Sequence, residues 1–112
     1  MKAVRLRYAP EARSDMAAIR AYISGQSGRA RAAIITERIR DRIRDTRDMP
    51  ETGVARPDFR PDCRFVVEHP YVIYYAFGRR EMTVLRILHH ARNRDAIMRG
   101  VQEESVVFAV GK

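Results

Sequence analysis

The segment Tyr71-Val72-Ile73-Tyr74-Tyr75-Ala76-Phe77 has an apolar or aromatic residue at every position, so a strand built from it carries apolar side chains on both faces. Tyr71, Ile73, Tyr75 and Phe77 look one way and Val72, Tyr74 and Ala76 the other, and a sheet around this strand needs cover on two sides. Phe65, Val66 and Val67, ahead of Pro70, and Met82 to His89, after the turn Gly78-Arg79-Arg80, flank it as further strands. The result is a three-stranded antiparallel meander. In its last strand Thr83, Leu85 and Ile87 alternate with Met82, Val84, Arg86 and Leu88, which predicts a mixed apolar and arginine surface on one side.

Upstream of the meander the hydrophobic period is helical. Ala12, Met16, Ile19 and Ile23 recur at spacings of 4, 3 and 4, and Pro10 with Glu11 suits the first turn of a helix. Ser24, Gly25, Ser27 and Gly28 end that pattern and allow a tight reversal. A second helix follows over Arg29–Asp48, with Ala32, Ile35, Ile39 and Ile43 on one side and arginines and acids spaced to pair along the other. Helices joined so closely lie roughly antiparallel and present one combined apolar face. That face covers only one side of the sheet, so the other side is expected to stay open for a partner. Val4, Leu6 and Tyr8 alternate as a short first strand, and Val54 to Asp62, with Pro57 and Pro61, reads as an irregular connection.

At 112 residues the chain has room for one core. We expect an α+β fold of β-α-α-β-β-β order, a helical hairpin packed on a small, mainly antiparallel sheet, over residues 1–95, with a C-terminal short helix and tail over 96–112. The seven-residue apolar run is too short to span a bilayer and the N-terminus has no signal-peptide pattern, so a membrane location is not expected. A single cysteine, Cys63, fits a reducing cytoplasm and supplies neither a disulfide nor a multi-thiolate metal site. The net charge is +8, and Lys2 and Lys112 are the only lysines, so the basic surplus is arginine. Arginine's planar fork suits carboxylates and phosphates, which points to an anionic partner.

No phosphate loop, Cys-x-x-Cys, His-x-x-x-His or nucleophile elbow occurs, and no cofactor or metal is expected. The densest polar cluster is Arg86-Ile87-Leu88-His89-His90-Ala91-Arg92. His89, His90 and Arg92 are the residue types that RNA cleavage through the 2′-hydroxyl would need, a proton carrier and a phosphoryl-charge stabiliser. Strand alternation, however, sends His89 and His90 to opposite faces. Arg56, Arg60 and Arg64 could form a basic strip beside this cluster.

Several signposts in order carry a family resemblance: Ala9-Pro10-Glu11-Ala12-Arg13-Ser14-Asp15-Met16, Ile19-Arg20-Ala21-Tyr22-Ile23, Pro50-Glu51-Thr52-Gly53, Tyr71-Val72-Ile73-Tyr74-Tyr75 and Val84-Leu85-Arg86-Ile87-Leu88-His89-His90-Ala91-Arg92-Asn93. Over residues 4 to 95 the chain resembles the ParE toxins of the RelE/ParE superfamily, with Asn93 where the family often has aspartate and Val54 where it often has arginine. The resemblance implies a type II toxin–antitoxin module, with a ParD-like antitoxin that wraps the toxin as a hetero-oligomer and alone contacts operator DNA. It also implies inhibition of DNA gyrase. On that basis Arg64, Val66, Tyr74, Val84, Arg86 and Leu88 are expected at the antitoxin surface, and Arg56, Arg60, His89 and Arg92 at the target surface. The alternative is the sister branch of RelE-like ribosome-dependent mRNA nucleases. Its usual lysines are missing here, and no tyrosine follows Tyr75, which leaves His89 or His90 for proton transfer. A plain nucleic-acid-binding module is a third reading, supported by charge alone.

Overall fold

The computed structural model describes residues 4–92 and 97–98. In chain order it contains β1 (Arg5–Tyr8), α1 (Pro10–Ser27), α2 (Arg29–Asp48), a 3-10 turn (Pro50–Thr52), β2 (Val54–Ala55), β3 (Cys63–Glu68), β4 (Tyr71–Phe77) and β5 (Glu81–His89). The strands form one sheet in the order β1-β5-β4-β3-β2. β1 runs parallel to β5, as the crossover through two helices permits, and the remaining pairs are antiparallel. The α+β architecture is therefore the expected one, with β2 as a short strand inside the segment read as irregular. Of the expected C-terminal helix and tail, 96–112, only Ile97 and Met98 lie within the described residues, and both are helical.

α1 opens with Pro10 at its first position and Glu11 near the positive end of its dipole, without a side-chain cap from Ala9. It continues through Gly25, and the reversal into α2 falls on Gly28 alone. Gly28 adopts φ +92°, its N–H donates to Ser24 O at 2.9 Å, and its carbonyl accepts from Ala32 N at 3.1 Å. One residue thus closes one helix and opens the next, in a backbone region that side chains with a Cβ avoid. Gly28→Ala is expected to cost about 1–2 kcal/mol, measurable as a lower urea midpoint at unchanged slope. On the outer face of α2 Arg44 bridges Glu37 and Asp41, and Arg40 reaches Glu37 at 3.7 Å, as the charge spacing predicts.

Ala12 and Met16 of α1 and Ile39 and Ile43 of α2 pack on one sheet face, against Ile73 and Tyr75 of β4 and Met82, Val84 and Ile87 of β5. The step from Val84 to Ile87 breaks strict alternation. A register shift pairs Tyr74 with Arg86 but Tyr75 with Val84, so Leu85 is the extra residue of a bulge. Beyond the bulge the phase is reversed: Leu85 and Leu88 fall on the second face, whereas alternation had put Leu85 with Ile87.

That second face corrects the expectation of an open surface. Phe59 from the β2–β3 connection, Cys63 and Met98 bury it together with Val72, Tyr74, Ala76, Leu85 and Leu88. The connection earns this position through turn chemistry. In Arg56-Pro57-Asp58 and again in Arg60-Pro61-Asp62, the arginine forks onto the aspartate two residues on, at 2.9–3.2 Å. Arg56 also lies 4.1 Å over the Phe59 ring and holds it inward.

Candidate functional site

β1 pairs with β5 only as far as Val84, after which Ala9 N donates to Val84 O and the chain leaves as α1. The remaining outer edge of β5 meets a carboxylate there. Asp15 of α1 accepts the Ile87 N–H at 2.9 Å and takes Nε and Nη2 of Arg86 at 2.8 Å each. Both side chains are mostly withdrawn from solvent, Arg86 being 20% and Asp15 11% exposed. Such a bidentate pair is among the stronger polar contacts, and here it pins α1 to the sheet.

The second anchor lies at the other side of the sheet. Tyr75, fully buried, donates its hydroxyl to Pro50 O at 2.5 Å and accepts from Gly53 N at 3.0 Å. Arg64 Nη1 donates to Glu51 O and Gly53 O, at 3.1 and 2.8 Å. The Pro50–Gly53 signpost is therefore a short segment lashed to β3 and β4, and Gly53 is required because a Cβ there would sit 2.1 Å from the Tyr75 hydroxyl.

These anchors relocate several expected site residues. Arg64 and Arg86 make intramolecular bonds, and Arg56 and Arg60 are each forked onto a neighbouring aspartate. Val66, Tyr74, Val84 and Leu88 are buried, and they do not share a face: Val66 and Val84 lie under the helices, Tyr74 and Leu88 on the opposite side. The expected target residues separate too. Arg60 borders a groove at the β4–β5 turn, whereas His89 and Arg92 border one at the far end of those strands.

Open space instead lies on both flanks of α1. Between the helices is a groove of about 570 Å³ floored by Met16, Ala17, Ala21 and Ala32 and bordered by Arg13, Arg20, Arg29 and Arg40. Among the described residues Arg13, Arg20 and Arg29 make no ion pair. On the other flank, Ile19 and Tyr22 of α1 face Tyr71, Ile87 and Leu88 across a groove of about 460 Å³ ending at His89 and Arg92. Tyr22 is 67% exposed, an unusual position for a large aromatic side chain. Helical periodicity alone locates none of this, because Arg13, Ala17, Arg20 and Ala21 belong to the polar and small side of α1.

His89 and His90 do not diverge. β5 ends at His89, and His90 turns back so that the two rings stack at 4.8 Å, with His69 stacked on His90 at 5.2 Å and Tyr71 edge-on to His89 at 5.6 Å. The Ala91 N–H donates to His89 Nδ1 at 3.0 Å, which leaves the proton of the neutral ring on Nε2. Desolvation first, then repulsion from His90 and His69, holds the His89 pKa below its ordinary value. The fold therefore prefers neutral His89, and its contribution to stability is complete above about pH 6.5 and declines as pH falls below that value. The melting temperature is expected to drop between about pH 7 and pH 5, and to drop less in His89→Gln. Burial pushes the Cys63 thiol up to about 11, which makes it a packed side chain and not a nucleophile. Among the described residues no cluster of His, Cys, Asp or Glu could hold a metal ion, and no helix is long and apolar enough to cross a membrane.

A helical hairpin laid on a five-stranded sheet, with arginine-bordered and aromatic grooves along its first helix, defines a small basic α+β protein. The model of the family described as ParE toxin of type II toxin-antitoxin system, parDE, matches residues 6–94. The chain belongs to the ParE toxin family. Among solved structures it is similar to one from the chromosomal ParDE toxin–antitoxin system of P. aeruginosa, at 22% identity and a TM-score of 0.67, covering 77% of this chain and 95% of that one. No curated protein matches the sequence.

Proposed function

We propose that the protein acts by binding, as the toxin of a ParDE-type pair: an acidic, amphipathic segment of a ParD-like antitoxin occupies the grooves flanking α1, and the freed toxin inhibits DNA gyrase. The observation that carries this reading is the pairing of unspent arginines with apolar floor on one flank of α1 and exposed Tyr22 beside Ile19, Tyr71 and Ile87 on the other. A helix with alternating carboxylates and apolar residues satisfies both, since burial of its apolar side supplies affinity and the arginines steer and orient it. Arg92, at the end of the second groove, takes a carboxylate of the antitoxin or a contact on the target. Operator DNA is reached through the antitoxin, and the cytoplasm, where gyrase acts, is the compartment.

Two measurements test this. Purified toxin is expected to inhibit supercoiling by gyrase and to leave mRNA intact in a translation reaction; translation arrest with mapped cleavage and normal supercoiling would assign it instead to the nuclease branch. With a ParD-like antitoxin as partner, Arg20→Glu/Arg29→Glu is expected to weaken the complex at least 10-fold, mainly through like-charge placement against carboxylates. Unchanged affinity in that variant places the antitoxin elsewhere.

A further inference from the structure

A groove of about 890 Å³ belongs to neither flank of α1. It lies at the β4–β5 turn, beside Ala76 and Leu85 at the border of the second core cluster. Its floor is mostly small or short, Ala9, Ala76, Gly78 and Thr83, beside a half-buried Phe77 and a Leu85 that is itself 7% exposed. Its rim holds four arginines, Arg7 from β1, Arg60 from the β2–β3 connection and Arg79 and Arg80 from the turn, of which Arg7 and Arg60 are already paired with acids, so the free positive charge on the rim, among the described residues, is that of Arg79 and Arg80. The acids nearby are largely spent, Glu81 on Arg7 at 3.4 Å and Asp62 on Arg60 at 3.1 Å, while Glu11 sits in the first turn of α1. Arg79 and Arg80, both exposed, make no side-chain hydrogen bond or ion pair among the described residues. Arg5, exposed two residues from Arg7 on β1, is likewise unpaired among the described residues, and its backbone N–H donates to Arg80 O, which brings it to the same corner.

From this arrangement we infer that the groove at the β4–β5 turn binds the phosphate backbone of a nucleic acid, independently of sequence. A protein partner needs large apolar anchor sites, and of the two sizeable apolar side chains here Leu85 is buried and Phe77 packs against the core with the Arg64 guanidinium 5.6 Å over its ring. A phosphodiester backbone needs close approach and several positive forks around it, which a floor of Ala, Gly and Thr ringed by arginines provides. Affinity from such contacts comes chiefly from released counterions and so depends steeply on salt. The inference stands apart from the toxin–antitoxin reading, because the groove shares no residue with those flanking α1.

The test is fluorescence anisotropy of the full chain with a labelled 20-bp DNA duplex and, in parallel, a labelled 20-nucleotide RNA, from 50 to 200 mM salt. About three phosphate contacts give a log–log salt slope near −3 for the duplex and near −2 for the single strand. Arg79→Glu/Arg80→Glu is expected to weaken binding at least 10-fold and flatten the slope, while Arg31→Glu/Arg38→Glu, with the same charge change on the exposed face of α2, stays within about two-fold. Equal losses in the two variants would reduce the effect to net charge and overturn the inference, as would a poly-glutamate 20-mer competing as well as the nucleic acids. Duplex and RNA arms tell which backbone is preferred. Should the turn variant fail to fold by circular dichroism, photo-crosslinking of wild type to 4-thiothymidine DNA and 4-thiouridine RNA decides: adducts on the peptide around Arg79 and Arg80 support the site, and adducts confined to α1 and α2 refute it.

Discussion

Asp15→Ala is expected to lower the unfolding free energy by about 2–3 kcal/mol, because it removes a carboxylate that serves three donors at once, taking the bidentate fork from Arg86 and the acceptor from the Ile87 N–H at a poorly hydrated edge. For a domain of this size that is roughly 10–20 °C in melting temperature. Asp15→Asn keeps an acceptor for Ile87 but loses the charged fork, and it should fall between wild type and alanine. The contrast separates charge from simple side-chain loss. If both variants melt within a degree or two of wild type, Asp15 does not hold α1 to the sheet, and the groove bordered by Ile19 and Tyr22 loses the support that shapes it.

Gly53→Ala is expected to be at least as damaging, about 3 kcal/mol, through a different physical route. The added Cβ would overlap the Tyr75 hydroxyl and ring carbon, and a fully buried ring between β-strands has little room to retreat. Displacing it also breaks the bonds to Pro50 O and from Gly53 N. Tyr75→Phe alone leaves those two backbone groups without their partner and costs about 1–2 kcal/mol. Because the hydroxyl is the nearest clash, the double variant should be less destabilised than the sum of the singles. Strict additivity in denaturant unfolding would show that the glycine is tolerated for some other reason. The same variants report on function: the Pro50–Gly53 segment lines neither groove flanking α1, so antitoxin binding should survive in molecules that remain folded.

The nature of every long element was legible from local pattern, whereas the two-residue β2 was not. The apolar stripe of α1, the Arg29–Asp48 helix, the doubly apolar β4 and the Gly28 reversal all follow from side-chain periodicity and backbone permissiveness, which act within a few residues. The family signposts were legible too, although their physical reasons were not. Pro50-Glu51-Thr52-Gly53 looks like an ordinary helix terminator until Tyr75 is seen bonded to both ends of it. The candidate site was harder to see. A one-residue bulge at Leu85 reversed the face of the residues beyond it, and a register shift has no signature in alternation until it is paired with the neighbouring strand. Arg64 and Arg86 have the composition of a binding surface, yet their partners are backbone carbonyls 11 to 13 residues away and a carboxylate 71 residues away. The twice-repeated Arg-Pro-Asp was a local signal that could have predicted the folded-over connection and the loss of Arg56 and Arg60 as free charges.

What the amino-acid order settled by itself is the kind of protein this is: a basic α+β chain of the ParE toxin family, since helical and strand periods, turn residues and net charge are properties of neighbours and totals. Tertiary structure alone decided which arginines remain available. Ion pairing depends on distances between residues remote in sequence, so only the packed chain could spend Arg86 on Asp15 and Arg64 on the Pro50–Gly53 segment while leaving Arg13, Arg20, Arg29, Arg79 and Arg80 to face solvent-filled grooves.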